Sequence, residues 1–83
     1  MENELSRAAR RAINDLELPC EVVKVWSIPD STDWHIRFTP GYGQFSGSFH
    51  DDSGRRYSDD EITEILKNHL FSMEEVRVRH SER

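Results

Sequence analysis

Cysteine is nearly absent from this sequence, in which Cys20 is the only one among 83 residues. A disulfide within the chain is therefore impossible, and the same count excludes a zinc finger. Chains without disulfides are typical of reducing compartments, so we expect a cytoplasmic protein. An activated thiol needs a neighbouring base or a helix N-terminus, whereas Cys20 follows Pro19 at the expected start of a strand. We therefore interpret Cys20 as structural.

Long apolar runs are missing as well. No segment approaches the roughly 18 consecutive apolar residues that a membrane span requires. Glu2 and Glu4 stand where a secretory signal peptide would be basic. We therefore expect a soluble protein that is not exported by that route and does not bind a membrane.

The chain also lacks an excess of positive charge. It has 11 lysines and arginines against 16 aspartates and glutamates, which gives a formal net charge of −5. This balance disfavours general binding to nucleic acids, because phosphate contacts depend on positive potential. Most of the basic residues are arginines, whose planar forks bind carboxylates as well as phosphates. Local basic patches therefore have to be considered one by one.

What the sequence does contain is a set of large aromatic residues. The apolar content of 35% is low for a globular chain, but aromatic side chains bury large areas and can build a core in a small domain. We predict one domain over residues 1–83, with a frayed tail at residues 80–83. The residues expected to supply the buried aromatic area are Trp26, Trp34, Phe38, Phe45, Phe49 and Phe71.

Hydrophobic periodicity predicts the first four elements. Apolar residues at helical spacing indicate a helix over residues 2–16. The β-branched and aromatic run at residues 22–28 favours a strand. Alternation of apolar and polar residues over residues 34–39 and 44–50 predicts two more strands. The dipeptide Pro40-Gly41 marks the turn between them.

The stretch Tyr57–Ile62 has every feature of a helix start. Ser58 can accept a hydrogen bond from the N–H of Glu61, while the Glu61 side chain reaches back to the N–H of Ser58. Tyr57 can pack on Ile62 across this cap, and the acids of the segment lie where the helix dipole favours negative charge. A second helix follows, with an inward stripe composed of Ile62, Ile65, Leu66, His69 and Leu70.

The end of the chain predicts a further strand, because Val76 and Val78 alternate with Arg77 and Arg79. The fold class is then α+β: a three- to four-stranded antiparallel sheet with two helices packed on one face, in the order α-β-β-β-α-β. We interpret the other sheet face as solvated, with a recognition surface as the alternative. The polar residues expected on that face are His35, Arg37, Thr39, Gln44, Ser46, Ser48 and His50.

Motifs for catalysis or metal binding are not apparent. The four histidines lack the paired spacing of a metal site, although His35 and His50 could meet across adjacent strands. The loop that begins at Asp51 differs from a calcium loop because Arg55 stands where an oxygen ligand is needed. No serine, histidine and aspartate combine into a nucleophile motif. We expect no enzyme activity, no metal and no cofactor.

The order of helix, three strands and helix resembles that of double-stranded-RNA-binding domains. The resemblance implies a fold in which the second helix begins with basic residues that contact phosphates. Residues 58–61 of this chain are acidic instead and would repel phosphate. The resemblance is therefore one of element order, and the functional motif of that family is missing.

Arginines supply most of the candidate binding residues. Arg7, Arg10 and Arg11 are three or four residues apart and form a basic stripe on the first helix. This stripe is either a contact for an anion or partner, or a solvated face paired with acids. Arg55 and Arg56 lie in the loop before the second helix. The complete candidate set for partner binding is Arg7, Arg10, Arg11, His35, Arg37, Arg55 and Arg56.

Two hypotheses for function follow from this set. The first is a non-enzymatic interaction protein that binds a protein partner through the sheet face, the arginine stripe or an exposed edge strand. The alternative is a nucleic-acid-associated module, in which Tyr42 or Trp26 is available to stack on bases. It requires that the arginines of the first helix and of the loop converge on one surface. The oligomeric state is left open, because edge strands can also pair with a second copy.

Overall fold

Two helices enclose one face of a three-stranded antiparallel sheet. The structure, a computed structural model, describes residues 1–81, and only the backbone at residues 80 and 81. The architecture is a small α+β domain, as the sequence predicted. In chain order its elements are α1 (Glu2–Leu16), β1 (Val22–Ser27), β2 (Trp34–Phe38), β3 (Gln44–Gly47) and α2 (Asp59–Ser81).

Helix α1 forms as predicted and packs chiefly on α2. Its buried residues recur at helical spacing, and several are alanines whose small side chains let the two helices lie close together. The helix ends where Glu17 adopts a left-handed conformation (φ 53°) and donates its N–H to the carbonyl of Asn14. Leu18 closes the end with a bond to the carbonyl of Ile13, which completes a Schellman motif. The buried residues are Leu5, Ala8, Ala9, Ala12 and Ile13.

The strands pair in the order β1-β2-β3. Ile36 in the central strand is fully buried and lies between Val25 of β1 and Phe45 of β3. These residues join the helices in one core, which confirms the predicted period of two in β2. Because inward and outward side chains alternate along a strand, the residues on either side of Ile36 and Phe45 point away from the helices.

A β-bulge interrupts β1 between Val22 and Lys24. The extra residue, Val23, shifts the alternation, so that Val22 and Val25 both pack on the core although they are three residues apart. Lys24 is thereby directed to the opposite face of the sheet, as is Trp26. Trp26 therefore lies half-buried on the uncovered face rather than in the predicted aromatic core.

The start of α2 has the predicted cap. The N–H of Glu61 donates to Ser58 Oγ (3.2 Å), and the N–H of Ser58 donates to Glu61 Oε1 (3.1 Å). Ile62 is fully buried, and Tyr57 packs on the same core. The inward stripe of α2 is as predicted, with Leu66 and Leu70 fully buried.

The predicted last strand is wrong, because α2 continues through Ser81. No proline or glycine interrupts the chain after the cap, and extending an existing helix costs far less than starting a new element. An ion pair between Glu74 and Arg77, three residues apart, supports the helix here (2.7 Å). Val76 is 47% exposed, so the alternation of valine and arginine does not mark a buried strand face. The sheet has three strands within residues 1–81.

Two smaller predictions also need correction. The third strand ends at Gly47 rather than continuing to His50, which instead forms an isolated bridge with Arg56. Phe71 is 57% exposed because it lies one residue, or about 100° of helix turn, beyond the buried Leu70. The frayed tail predicted for residues 80–83 stays a prediction: α2 includes the backbone of residues 80 and 81, and residues 82–83 lie outside the described residues.

Candidate functional site

The sheet face opposite the helices is not covered by any described element. Cross-strand pairing places Lys24 beside Arg37 and Trp26 beside His35, and β3 adds two polar side chains. We call this surface the open face. It consists of Lys24, Trp26, His35, Arg37, Gln44 and Ser46.

Trp26 lies at the centre of the open face and contacts three of its neighbours. The ring of His35 stacks on it with 5.2 Å between ring centroids and 19° between ring planes. Lys24 Nζ lies 5.2 Å from the Trp26 ring centroid, and Arg37 Cζ lies 5.4 Å from it. We call these four residues the cation–aromatic cluster. Each cation–π contact contributes about 0.5–1 kcal/mol at an exposed site and directs the charged group over the ring.

Hydrogen bonds hold one side of the cluster in place. His35 Nδ1 shares a hydrogen bond with Ser46 Oγ (2.8 Å), and Gln44 Nε2 donates to the same oxygen (3.3 Å). The other ring nitrogen, His35 Nε2, is shielded from solvent and has no hydrogen-bond partner among the described side chains or backbone. The imidazole is therefore fixed by its stack on Trp26 and by Ser46, and the cluster is preorganised before any ligand binds.

The open face is locally positive in an acidic protein. Lys24 and Arg37 have no ion-pair partner in the part of the chain that the structure describes. No member of the open face is acidic, whereas the whole chain has a net charge of −5. Two cations without counter-ions beside an aromatic ring form a surface that attracts carboxylates or phosphates.

The arginines of the first helix lie elsewhere. α1 packs on the other side of the sheet, so Arg7, Arg10 and Arg11 are remote from the open face. Arg11 Nη1 forms an ion pair with Asp60 Oδ1 at the start of α2 (2.8 Å). Arg7 and Arg10 are exposed and have no ion-pair partner within the described range. The stripe is thus partly neutralised by acids.

The loop arginines are also neutralised. Arg55 Nε donates to Asp51 Oδ2 (3.1 Å), and Arg56 Nη2 lies 3.7 Å from Asp59 Oδ1. Hydrogen bonds from Ser53, and then from Arg55, lower the pKa of Asp51 to about 2. These contacts close the loop around an aspartate and leave little net positive charge there.

The seven candidate residues therefore do not form one surface. His35 and Arg37 belong to the open face, whereas the five other arginines lie on α1 or near the start of α2. Tyr42, considered for stacking on bases, is 3% exposed and donates its hydroxyl proton to Glu74 Oε2 (2.6 Å). It is therefore a core residue.

Sequence reasoning left Lys24 out of the candidate set, named Trp26 only for stacking on bases, and assigned three residues wrongly to the open face. Neither residue was expected on the open face, because the sequence of β1 has no alternation that would indicate the bulge. Thr39 instead bonds to the backbone of Glu21, donating to its carbonyl (3.1 Å) and accepting from its N–H (2.6 Å). The other two, Ser48 and His50, lie beyond the end of β3.

The histidines and Cys20 are the remaining groups that were considered for metal-binding or nucleophilic chemistry. Among the side chains that the structure describes, which are those of residues 1–79, no group of three or more histidine, cysteine or acidic side chains comes close enough to hold a metal ion. His35 pairs with Ser46 across the sheet and not with His50. Burial raises the pKa of the Cys20 thiol, which favours the unreactive protonated form.

Comparisons with known proteins leave the open face as the main guide to function. No protein-family model matches the chain, and neither a curated protein nor a solved structure shows significant similarity to it. Neither helix, over the described residues, has both the length and the apolar character that crossing a lipid bilayer demands.

Proposed function

We propose that this protein is a non-enzymatic interaction module that binds an acidic segment of a protein partner on the open face. The observation that supports the proposal is the cation–aromatic cluster, in which two cations without counter-ions flank a tryptophan on an uncovered sheet. The cytosol is the setting we propose for this interaction, in agreement with a chain that has one buried cysteine.

An acidic segment matches the chemistry of the cluster. The guanidinium of Arg37 can form paired hydrogen bonds with a carboxylate, and Lys24 lies directly opposite it across the sheet. A second carboxylate, two positions along an extended chain and so about 7 Å away, lies within the same positive region. Trp26 supplies apolar area beside these charges, and tryptophan and arginine are the residues most enriched at binding hot spots.

A protein partner fits better than a nucleic acid. Binding a polyanion requires many cations on one surface, and Arg11, Arg55 and Arg56 are each held by acids instead. Stacking of a base on Trp26 would compete with the imidazole of His35, which already lies against that ring. Binding of a carboxylate requires neither many cations along one surface nor an aromatic ring that is free to stack.

An NMR titration with a short peptide of alternating glutamate and aspartate tests the proposal. We expect salt-sensitive shifts at the backbone amides of residues 24–26 and 35–37 and at the indole N–H of Trp26. K24Q and R37Q should each weaken binding. R10Q should not, because Arg10 is also exposed but lies on α1.

Parallel titrations with a peptide of the same length made of lysine and with single- and double-stranded oligonucleotides complete the experiment. No response to the lysine peptide is expected. Absence of shifts with the acidic peptide would overturn the proposal, as would shifts confined to the α1 arginines. Tighter binding of an oligonucleotide than of the acidic peptide would overturn it in favour of a nucleic-acid-associated module.

A further inference from the structure

An apolar groove adjoins the cation–aromatic cluster at the end of the sheet where β2 turns into β3. Its volume is about 420 Å³. Arg37, whose guanidinium contacts Trp26, also forms part of the groove, so the two sites are continuous. We call it the hairpin groove; its apolar lining consists of Val23, Phe38, Pro40, Gly41 and Gly43.

The turn between β2 and β3 forms one end of the groove. The N–H of Tyr42 donates to the carbonyl of Thr39 (3.1 Å), with Pro40 and Gly41 at the two central positions and Gly41 at φ 101°. This is the residue order that a type II turn requires. Gly43 has φ 68°, and an added Cβ there would lie 3.1 Å from Met73 Cε. Gly41 is thus required by the turn, and Gly43 by its own left-handed conformation and the closeness of Met73; both glycines line the groove.

The bulge in β1 supplies the opposite wall. Val23 is the extra residue of the bulge and is 58% exposed, although it is apolar. A regular strand would have given this position a cross-strand partner. The bulge leaves the valine side chain beside the turn, where it lines the hairpin groove.

From this juxtaposition we propose that the hairpin groove holds an aliphatic side chain of the acidic partner segment, next to the carboxylate that Arg37 binds. The inference rests on the proposed function and narrows its partner. In an extended segment, side chains two positions apart lie on the same side and about 7 Å apart. The recognised pattern is therefore an acidic residue followed or preceded, two positions away, by an aliphatic residue.

Charge argues for this occupant over a second copy of the chain. A symmetric dimer through the open face would bring Lys24 and Arg37 of each copy towards the same residues of the other, without acids between them. Like charges placed together at an interface oppose association. Addition of a strand at β1 is opposed as well, because the bulge disrupts the edge at Val23.

Two acidic peptides that differ at one position test the inference. One carries leucine two positions from a glutamate, and the other carries alanine there. We expect the leucine peptide to bind roughly tenfold more tightly, which corresponds to about 1.4 kcal/mol and to partial burial of one aliphatic side chain. The dissociation constants follow from NMR titration, with shifts at residues 23 and 43 expected for the leucine peptide alone.

The V23S variant should remove the advantage of leucine while leaving the affinity for the alanine peptide unchanged. V76S is the matched control, because Val76 is also an exposed valine but lies on α2, and it should change neither affinity. Equal binding of the two peptides to the unchanged protein would overturn the inference, as would an unchanged leucine advantage in V23S.

The test separates the two proposals. If R37Q weakens the binding of both peptides but leucine gives no gain in affinity, the open face binds acidic residues and the hairpin groove is not part of the site. If neither peptide binds, the proposed function fails and the inference fails with it. Shifts at residues 23 and 43 that depend on protein concentration without peptide would assign the groove to a second copy and overturn the inference.

Discussion

Replacing Ser58 by alanine should destabilise the protein through the start of α2. The change removes the acceptor for the Glu61 N–H and leaves that donor without its partner at 3.2 Å. Loss of a serine N-cap costs about 1 kcal/mol of the free energy of unfolding. In a domain of this size that corresponds to a fall in Tm of roughly 4–8 °C. Most of the helix should remain folded, because Ile62, Leu66 and Leu70 anchor it in the core.

Urea denaturation followed by circular dichroism measures this loss. S58G should cost only a few tenths of a kcal/mol, because glycine is tolerated at the N-cap. The matched control is S72A, an exposed serine inside α2, which should be neutral or slightly stabilising because alanine favours helices. The account of the cap is refuted if S58A unfolds at the same urea concentration as the unchanged protein, or if S72A is equally destabilising.

Further predictions concern a loop, a helix end and the C-terminal part of α2. The pKa of Asp51 is about 2, below its ordinary value of 3.8, so its contribution to stability is present above that ordinary value and is lost as pH falls towards 2. D51N should remove this part of the acid dependence and lower stability at neutral pH, as seen in urea titrations at several pH values. E17G should raise the free energy of unfolding by about 0.5 kcal/mol. Glycine adopts the left-handed conformation of this position without steric strain, and the strain removed exceeds the conformational entropy that glycine adds to the unfolded chain. An unchanged midpoint in the same assay would contradict this. V76A should leave the free energy of unfolding, measured by urea denaturation, unchanged or raise it by up to about 0.5 kcal/mol, because alanine favours an exposed helix. If these residues formed a strand, the same change would lower the free energy of unfolding.

Features that depend on neighbours in the sequence could be predicted well. The cap at Ser58 and Glu61 involves residues three apart, and the stripe of α1 follows from helical spacing alone. The period of two in β2 likewise placed Ile36 and Phe38 in the core. In each case a few consecutive residues carry the physical cause, so one sequence is sufficient.

The rest depends on contacts between distant residues. Trp26 reaches the open face because of a bulge whose position is decided by pairing with β2, and the run from Val22 to Ser27 has no alternation that would indicate it. Arg11 is neutralised by Asp60, which lies 49 residues away. From the sequence alone, an arginine that is free to bind a partner therefore cannot be distinguished from one that is ion-paired, because the pairing depends on the fold.

The C-terminal part of α2 shows a different limit. Two valines alternating with arginines satisfy a strand pattern over four residues, but the same residues continue a helix that is already formed. The choice between them depends on the absence of a stop signal after Leu70 rather than on the alternation. A pattern this short carries less information than the lack of proline or glycine.

A charge exchange on the open face would show whether this surface binds acidic segments. The double variant K24E/R37E reverses the charge of the cation–aromatic cluster, and its binding to acidic and to lysine peptides can be compared with that of the unchanged protein. We expect the variant to lose affinity for the acidic peptide and to gain affinity for the lysine peptide. R7E/R10E, which makes the same change in net charge on α1, should retain the original preference. Unchanged binding of the acidic peptide by K24E/R37E, or an equal loss in R7E/R10E, would show that the open face is not the binding surface.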